Sequence, residues 1–344
     1  MKHVFVVMLD QQPYATAFGP ASPAHYLTGT LEKQGELLER YYAVAHEGLA
    51  DGIALLSGQG PTETIAANCP TFAAIAPASS GADGQVLGQG CVYPGSTQTL
   101  MGQLAAKQLK WKAYVQGIDE GSGAPGACAH PVAAAADPSA AQTPGTAAAS
   151  YQTWRNPFVY FSSIADSSSC TSDDVGLSAL KGDLASEQRT ASFSYIAPGP
   201  CDDGNPMPCA PGKPAGMVAA DAFLQKVIPE ILASKAYKQN GLLAITVDQA
   251  PSTGEYADTS SCCGQPHFPN MPAPTGAAKL SAPGGGQVGL LLLSPFVKKG
   301  GGLVQDTYNH FSLLATIEQI FGLSRLGYAG GSEVKPFAAS LLGG

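Results

Sequence analysis

The sequence predicts an α/β protein: a three-layer sandwich with a central, mostly parallel sheet and helices on both faces. Three observations carry that expectation. Val4–Leu9, Leu242–Val247 and Val288–Leu293 are continuous apolar runs of strand length, the pattern of strands covered on both faces. Between and after them lie Met101–Leu109, Ala219–Leu232 and His310–Phe321, whose apolar residues recur at helical spacing. Strand and helix signals therefore alternate along the chain, which favours parallel pairing through helical crossovers.

Taken in order, Val4–Leu9 opens the sheet with a β-branched bias and is followed by Asp10. Leu31–Arg40 reads as a short helical segment, and Tyr41–Ala45 as a short strand. Ile53–Gln59 reads as a helix ending at Gly58, a residue suited to a left-handed C-terminal cap. The helix at Met101–Leu109 leads into a strand at Trp111–Gln116. Residues 121–150 are rich in Ala, Gly, Pro, Ser and Thr and read as a long surface excursion. Phe158–Ser162 and Phe193–Ile196 read as further strands, and a helix opens near Asp221. In the last helix Phe311, Leu314, Ile317 and Phe321 share one face. No internal repeat or linker divides the chain, so residues 1–344 are expected to form one domain with the excursion at about 121–150.

Composition narrows the function. Only 13% of residues are charged, against about 25% in an average protein. The net charge of −8, with no basic cluster, argues against a nucleic-acid partner. No apolar run approaches the roughly 20 residues of a membrane span. The eight cysteines lie mostly in loops without a CxxC pair, which favours disulfides and an oxidising compartment over zinc. Cys201 with Cys209 and Cys69 with Cys91 are the local pairings expected. No leader is legible before the first strand, so the chain is expected to be a processed, secreted, periplasmic or cell-surface form.

The chemistry is expected at one sheet edge. In open α/β sheets ligands bind at the carboxyl ends of the strands, and Asp10, Gly48, Asp203 and Asp248 all follow strand-like segments. Each alone is an ordinary turn former or helix cap. Together with His310 they suggest a site. The segment His46–Asp51 sits at a strand-to-helix turn, where backbone N–H groups and first-turn side chains converge on an anion or a nucleophile position.

Several ordered blocks resemble the bacterial phosphoesterase family of acid phosphatases and phospholipase C-like enzymes, within the alkaline phosphatase superfamily. They are His3–Asp10, Tyr41–Gln59, Asn156–Phe158, Ser194–Pro198, Cys201–Gly204, Gly241–Asp248, Gly284–Gly289, Ser294–Val297 and Tyr308–Leu314. The resemblance implies two metal ions that activate a Ser or Thr and neutralise the phosphoryl group. It places Asp10, the nucleophile position, Asp248 and Gln249 at one metal, and Asp203, Asn205 and His310 at the other. This chain departs from that pattern. Gly48 stands where the nucleophile is expected, Asn205 where the family has His, and Gln249 where it has Glu. The surviving ligands form remnant sites suited to no metal or to one weakly held Ca²⁺ or Mg²⁺, and a two-zinc centre is not expected. The resemblance with these departures implies a pseudoenzyme, a binding or structural module outside the cytoplasm whose partner is a protein or a phosphorylated ligand, with self-association left open. The alternative is an active hydrolase of phosphate mono- or diesters in which a metal-bound water attacks. Glu47 is a conceivable substitute nucleophile, although a neighbouring turn position points elsewhere.

The remaining histidines carry less. His46 either orients a phosphate or caps the turn, and His267 is placed to approach the site from a loop. His3, His25 and His130 are expected at the surface. Tyr308 and Phe311 are expected in the core, and Gly284–Gly286 as a turn rather than a phosphate cradle.

Overall fold

The computed structural model describes residues 1–120, 126–140, 151–206, 209, 212–273, 284–297, 304 and 306–343. Eleven strands are assigned among them: β1 (His3–Leu9), β2 (Glu36–Leu38), β3 (Tyr41–Tyr42), β4 (Ala76–Ser80), β5 (Val86–Gln89), β6 (Trp111–Val115), β7 (Asp174–Gly176), β8 (Phe193–Ala197), β9 (Gly241–Val247), β10 (Leu290–Leu293) and β11 (Tyr308–Asn309). Seven build the central sheet in the order β2-β10-β9-β1-β8-β6-β7. Strands β9, β1, β8, β6 and β7 pair in parallel, whereas β10 runs antiparallel to both β9 and β2. Every residue of β1 and β9 is buried, as continuous apolar runs between two helical layers require. The fold is the α/β sandwich expected, with a mostly parallel sheet.

The long helices form where their apolar spacing predicts. Gly216–Ala233 buries Phe223, Leu224, Val227, Ile228 and Ile231. In the helix His310–Phe321, Asn309 caps the N-terminus by accepting a hydrogen bond from the Ser312 N–H at 3.0 Å. All ten residues of the helix Gly48–Ser57 are buried, and it packs against His310–Phe321. Tyr308 and Phe311 lie in the core.

Three local expectations are corrected. Within the segment Leu31–Arg40, helical turns end at Gln34 and Glu36–Leu38 is the edge strand β2. The switch occurs at Gly35, where a Cβ would lie 2.2 Å from the Leu292 carbonyl oxygen, so only glycine lets the two backbones approach. Phe158–Ser162 is not a strand. Pro157 opens a 3-10 turn, Pro157–Tyr160, and Phe158 stacks on Trp111 with ring centroids 5.1 Å apart. His3 is not a surface residue: it is buried in β1, and its Nδ1 lies 2.9 Å from the Ala191 carbonyl.

Of the excursion at 121–150, residues 121–125 and 141–150 lie outside the described residues. The described part, 126–140, is irregular and is anchored by an isolated bridge from Ala136 to Thr71 and by Cys128. Disulfides join Cys69 to Cys91, Cys128 to Cys170, Cys201 to Cys209 and Cys262 to Cys263. The two local pairs were legible from spacing; Cys128–Cys170 needed the fold. Thiol titration of the denatured, unreduced protein should accordingly find essentially no free thiol. The three bridges that close a loop each typically contribute about 2–4 kcal/mol by restricting the unfolded chain, whereas Cys262–Cys263 joins neighbours and restricts it little. Recovery of six or more thiols would contradict these pairings.

Candidate functional site

Sheet register brings the acids together. Leu9 pairs with Val247, so Asp10 and Asp248 leave neighbouring strands side by side. The Asp248 N–H donates to the Leu9 carbonyl at 2.9 Å, and the Asp10 N–H donates to the Asp203 carbonyl at 2.8 Å. Asp10, Asp203 and Asp248 therefore converge at the C-terminal ends of β1, β8 and β9, and all three are buried. Asn205 joins them: its N–H donates to Asp203 Oδ1 at 2.7 Å and its side-chain amide to Asp10 Oδ2 at 3.3 Å. The Gln11 N–H donates to Asp248 Oδ1 at 2.9 Å.

Gly48 opens its helix beside these acids. A Cβ built there would lie 2.1 Å from Asp248 Oδ2 and 2.8 Å from Trp154 Cζ3. The position thus lacks a side chain and also the space for one. The preceding Glu47 adopts φ 71°, rare for a residue with a Cβ. Its N–H donates to Gln249 Oε1 at 2.7 Å, and its Oε2 accepts from Asn68 Nδ2 at 2.8 Å. Burial raises the Glu47 pKa, helped by the Asp10 charge.

The residue that organises the cluster is Arg155, which the sequence reading did not single out. It ends a 3-10 turn, Thr153–Arg155, and Gln152 Oε1 accepts from its Nε at 2.8 Å. One terminal nitrogen donates to Asp10 Oδ2 at 2.9 Å, and the other forms a close ion pair with Asp203 Oδ2. The guanidinium lies over the Trp154 ring, 4.1 Å from its centroid. Burial works against the charge on Arg155, but Asp203, Asp10 and Asp248 outweigh it and raise its pKa. Burial likewise raises the pKa of Asp203, opposed by Arg155 and reinforced by Asp10. Asp248 is raised by burial and then by Asp10. A signal was available in the sequence: Arg155 is the sole Lys or Arg between Lys112 and Lys181.

His310 is close to the acids but turned away from their carboxylates. It is fully buried, with Nε2 2.9 Å from the Asp248 backbone carbonyl and Nδ1 2.8 Å from the Tyr41 hydroxyl. A carbonyl only accepts, so Nε2 carries the proton and Nδ1 accepts from Tyr41. Asp51 Oδ1, 3.5 Å from Nε2, is held mainly by the Val44 and Ala45 N–H groups. Burial lowers the His310 pKa to about 4, partly offset by the bond to Asp248. The sign follows: a depressed folded pKa stabilises the protein above about 6.5, and that stability is lost as pH falls toward 4. Imidazole ¹⁵N shifts of His310 should therefore stay those of a neutral ring from pH 8 to 5. A titration midpoint near 6.5 would contradict this placement.

Neither His46 nor His267 bonds to the clustered carboxylates. His46 Nδ1 meets the Ala250 carbonyl at 3.2 Å, and burial lowers its pKa, opposed by its bonds to Gln249 and Ala250. His267 does not approach the site: it is exposed and bonded to the Pro272 carbonyl at 2.9 Å. The Gly284, Gly285 and Gly286 N–H groups are engaged by the Thr259, Ala43 and Ser260 carbonyls, leaving no amide cradle for a phosphate. A cavity of about 10 Å³ lies between Gly48, Trp154, Arg155, Tyr195 and Asp248, roughly the space of one water.

Comparison with known proteins agrees with this architecture. A putative sulfatase from Bacteroides thetaiotaomicron is similar with a TM-score of 0.55 at 11% identity, over 99% of this chain and 75% of that one. Phosphonate monoester hydrolase of Agrobacterium radiobacter is similar with a TM-score of 0.51 at 12% identity, over 100% and 78%. A protein in the alkaline phosphatase superfamily from Vibrio parahaemolyticus has a TM-score of 0.50 at 12% identity, over 98% and 70%. At such identities the likeness is one of fold. A search of curated proteins finds no match. The sequence pattern of the Phosphoesterase family matches residues 7–324, and the chain belongs to that family.

Proposed function

We propose that this phosphoesterase-family protein has given up hydrolysis and serves, as one domain outside the cytoplasm, as a binding or structural module. The observation that carries this reading is Arg155, whose guanidinium is paired with Asp10 and Asp203. Phosphoryl transfer in this superfamily needs cations to neutralise developing charge and an oxygen nucleophile held in line. Here an internal cation does the neutralising, and it is fixed to the protein.

The residues present do not fit a two-metal centre in this arrangement. Asp10 Oδ2 and Asp203 Oδ2 face Arg155, Asp248 Oδ1 accepts from Gln11, and the His310 nitrogens are both committed. Gln249 Oε1 is turned to the Glu47 N–H. Gly48 supplies no oxygen. We take the cation requirement to be none, or at most one weakly held Ca²⁺ or Mg²⁺ on a remaining carboxylate oxygen. A protein partner fits better than a phosphorylated ligand, because Arg155 is already paired with carboxylates and is the cation the cluster offers. Four disulfides support an oxidising compartment.

The test is an aryl phosphate assay on the purified protein with added Mn²⁺, Zn²⁺ or Ca²⁺, run beside elemental analysis. Turnover at the no-enzyme background and less than one equivalent of tightly bound metal are expected. Robust metal-dependent turnover would favour the hydrolase reading, in which three clustered carboxylates still recruit a cation and water attacks.

A further inference from the structure

A second concavity lies away from the acidic cluster, and its wall differs chemically. It encloses about 470 Å³, within the roughly 300–1,000 Å³ of small-molecule sites. One side is the β4–β5 hairpin, and the others are the segment before the helix Leu100–Ala106 and the turn at Arg325–Gly327.

The hairpin is held in place by side chains from elsewhere. Gln59 Oε1 accepts from the Val86 N–H at 2.8 Å, and Gln59 Nε2 donates to the Gly84 carbonyl at 2.8 Å. Asn270 Oδ1 accepts from the Gly88 N–H at 2.9 Å, and Asn270 Nδ2 donates to the Val86 carbonyl at 2.7 Å. Gln85 spans Gly58 and Gly60 in the same way. The wall is therefore preformed.

What it presents is uncharged and polar. Ser79, Ser80, Ser96 and Gln98 line the concavity and are exposed. Thr97 also lines it, is only 8% exposed, and its hydroxyl has no hydrogen-bond partner. Two charged groups reach the rim. Arg325 is already bonded to Glu318 and Gln319, at 3.3 and 3.4 Å. Asp83 disfavours an anion. Val86, Pro94 and Leu326 add apolar surface.

We infer that this concavity binds a neutral polyhydroxylated ligand, a saccharide unit whose hydroxyls meet Ser79, Ser80, Ser96 and Gln98 and whose C–H face rests on Val86, Pro94 and Leu326. Such a ligand matches a wall of neutral donors and acceptors interrupted by apolar patches. Among the described lining residues a phosphorylated or sulfated molecule meets Arg325 as the one cation, already paired with Glu318, and faces Asp83 as well. The inference does not depend on whether the acidic cluster is catalytic.

Saturation-transfer NMR on the intact protein tests it, with methyl α-D-glucoside and N-acetylglucosamine as neutral probes and glucose 6-phosphate as the anionic one. The neutral probes should bind and the phosphate should bind at least tenfold more weakly. Gln98→Ala should weaken neutral binding about tenfold, the scale of one lost hydrogen bond to the ligand. Ser79→Trp, on the exposed hairpin, should abolish it while thermal melting stays unchanged, and it decides the matter if Gln98→Ala folds poorly. The inference is overturned if neither neutral probe binds, if binding survives in Ser79→Trp, or if glucose 6-phosphate binds as well as the neutral probes.

Discussion

Replacing Arg155 by Gln should destabilise the protein by about 3–5 kcal/mol at pH 8, because it leaves buried carboxylates without their counter-charge. The loss should be strongly pH-dependent. Removing Arg155 removes the interaction that opposes the rise in the Asp203 pKa, so that pKa climbs further above its unfolded value of about 3.9. A carboxyl with a raised folded pKa contributes stability that is full below the unfolded pKa and is lost as pH rises through the folded one. The variant should therefore recover much of its stability between pH 8 and 5. Urea melts across that range supply the measurement. An Arg155→Gln protein as stable as the parent at pH 8 would mean that the pair carries no structural load, and with it would go the argument for a fixed internal cation.

Restoring the nucleophile should fail unless the cluster is also reopened. Gly48→Ser places a Cβ against Asp248 Oδ2 and the Trp154 ring, an overpacking that costs about 1–3 kcal/mol. The single variant should be inactive toward aryl phosphates. Adding Asn205→His and Gln249→Glu restores the ligand types implied by the resemblance, yet Arg155 still occupies the two carboxylates. Groups that act as a unit restore little when repaired singly. Metal uptake and turnover should thus emerge only when Arg155→Ala is combined with all three changes. Steady-state rates for the single, triple and quadruple variants with Mn²⁺ or Zn²⁺ decide this. Activity in the triple variant while Arg155 is present would show that the guanidinium gives way to a metal.

Much of the fold was legible because its signals are local. Val4–Leu9 and Leu242–Val247 are apolar throughout, so their burial on both faces followed from the residues themselves. The helix at His310–Phe321 was equally plain. Strand β2 was not, because Glu36–Leu38 becomes a strand only by pairing with β10, over 250 positions away. Neither was β7, which is set by its pairing with β6. Within the site, the clustering of Asp10, Asp203 and Asp248 could be read from strand topology. The part played by Arg155 could not, since its partner Asp10 is 145 positions distant. The direction of the His310 ring depends on the Tyr41 hydroxyl and a backbone carbonyl, neither of which has a sequence signature.

The two ends of the central sheet have a bearing on whether another chain could extend it. The outer strands β2 and β7 are three residues each, about 10 Å of ladder apiece. A neighbouring chain that tried to continue the sheet would gain only a few main-chain hydrogen bonds before running past the end. Short terminal strands of this kind resist fibre-like stacking and strand exchange. The central sheet therefore offers another chain little main chain to pair with at either end.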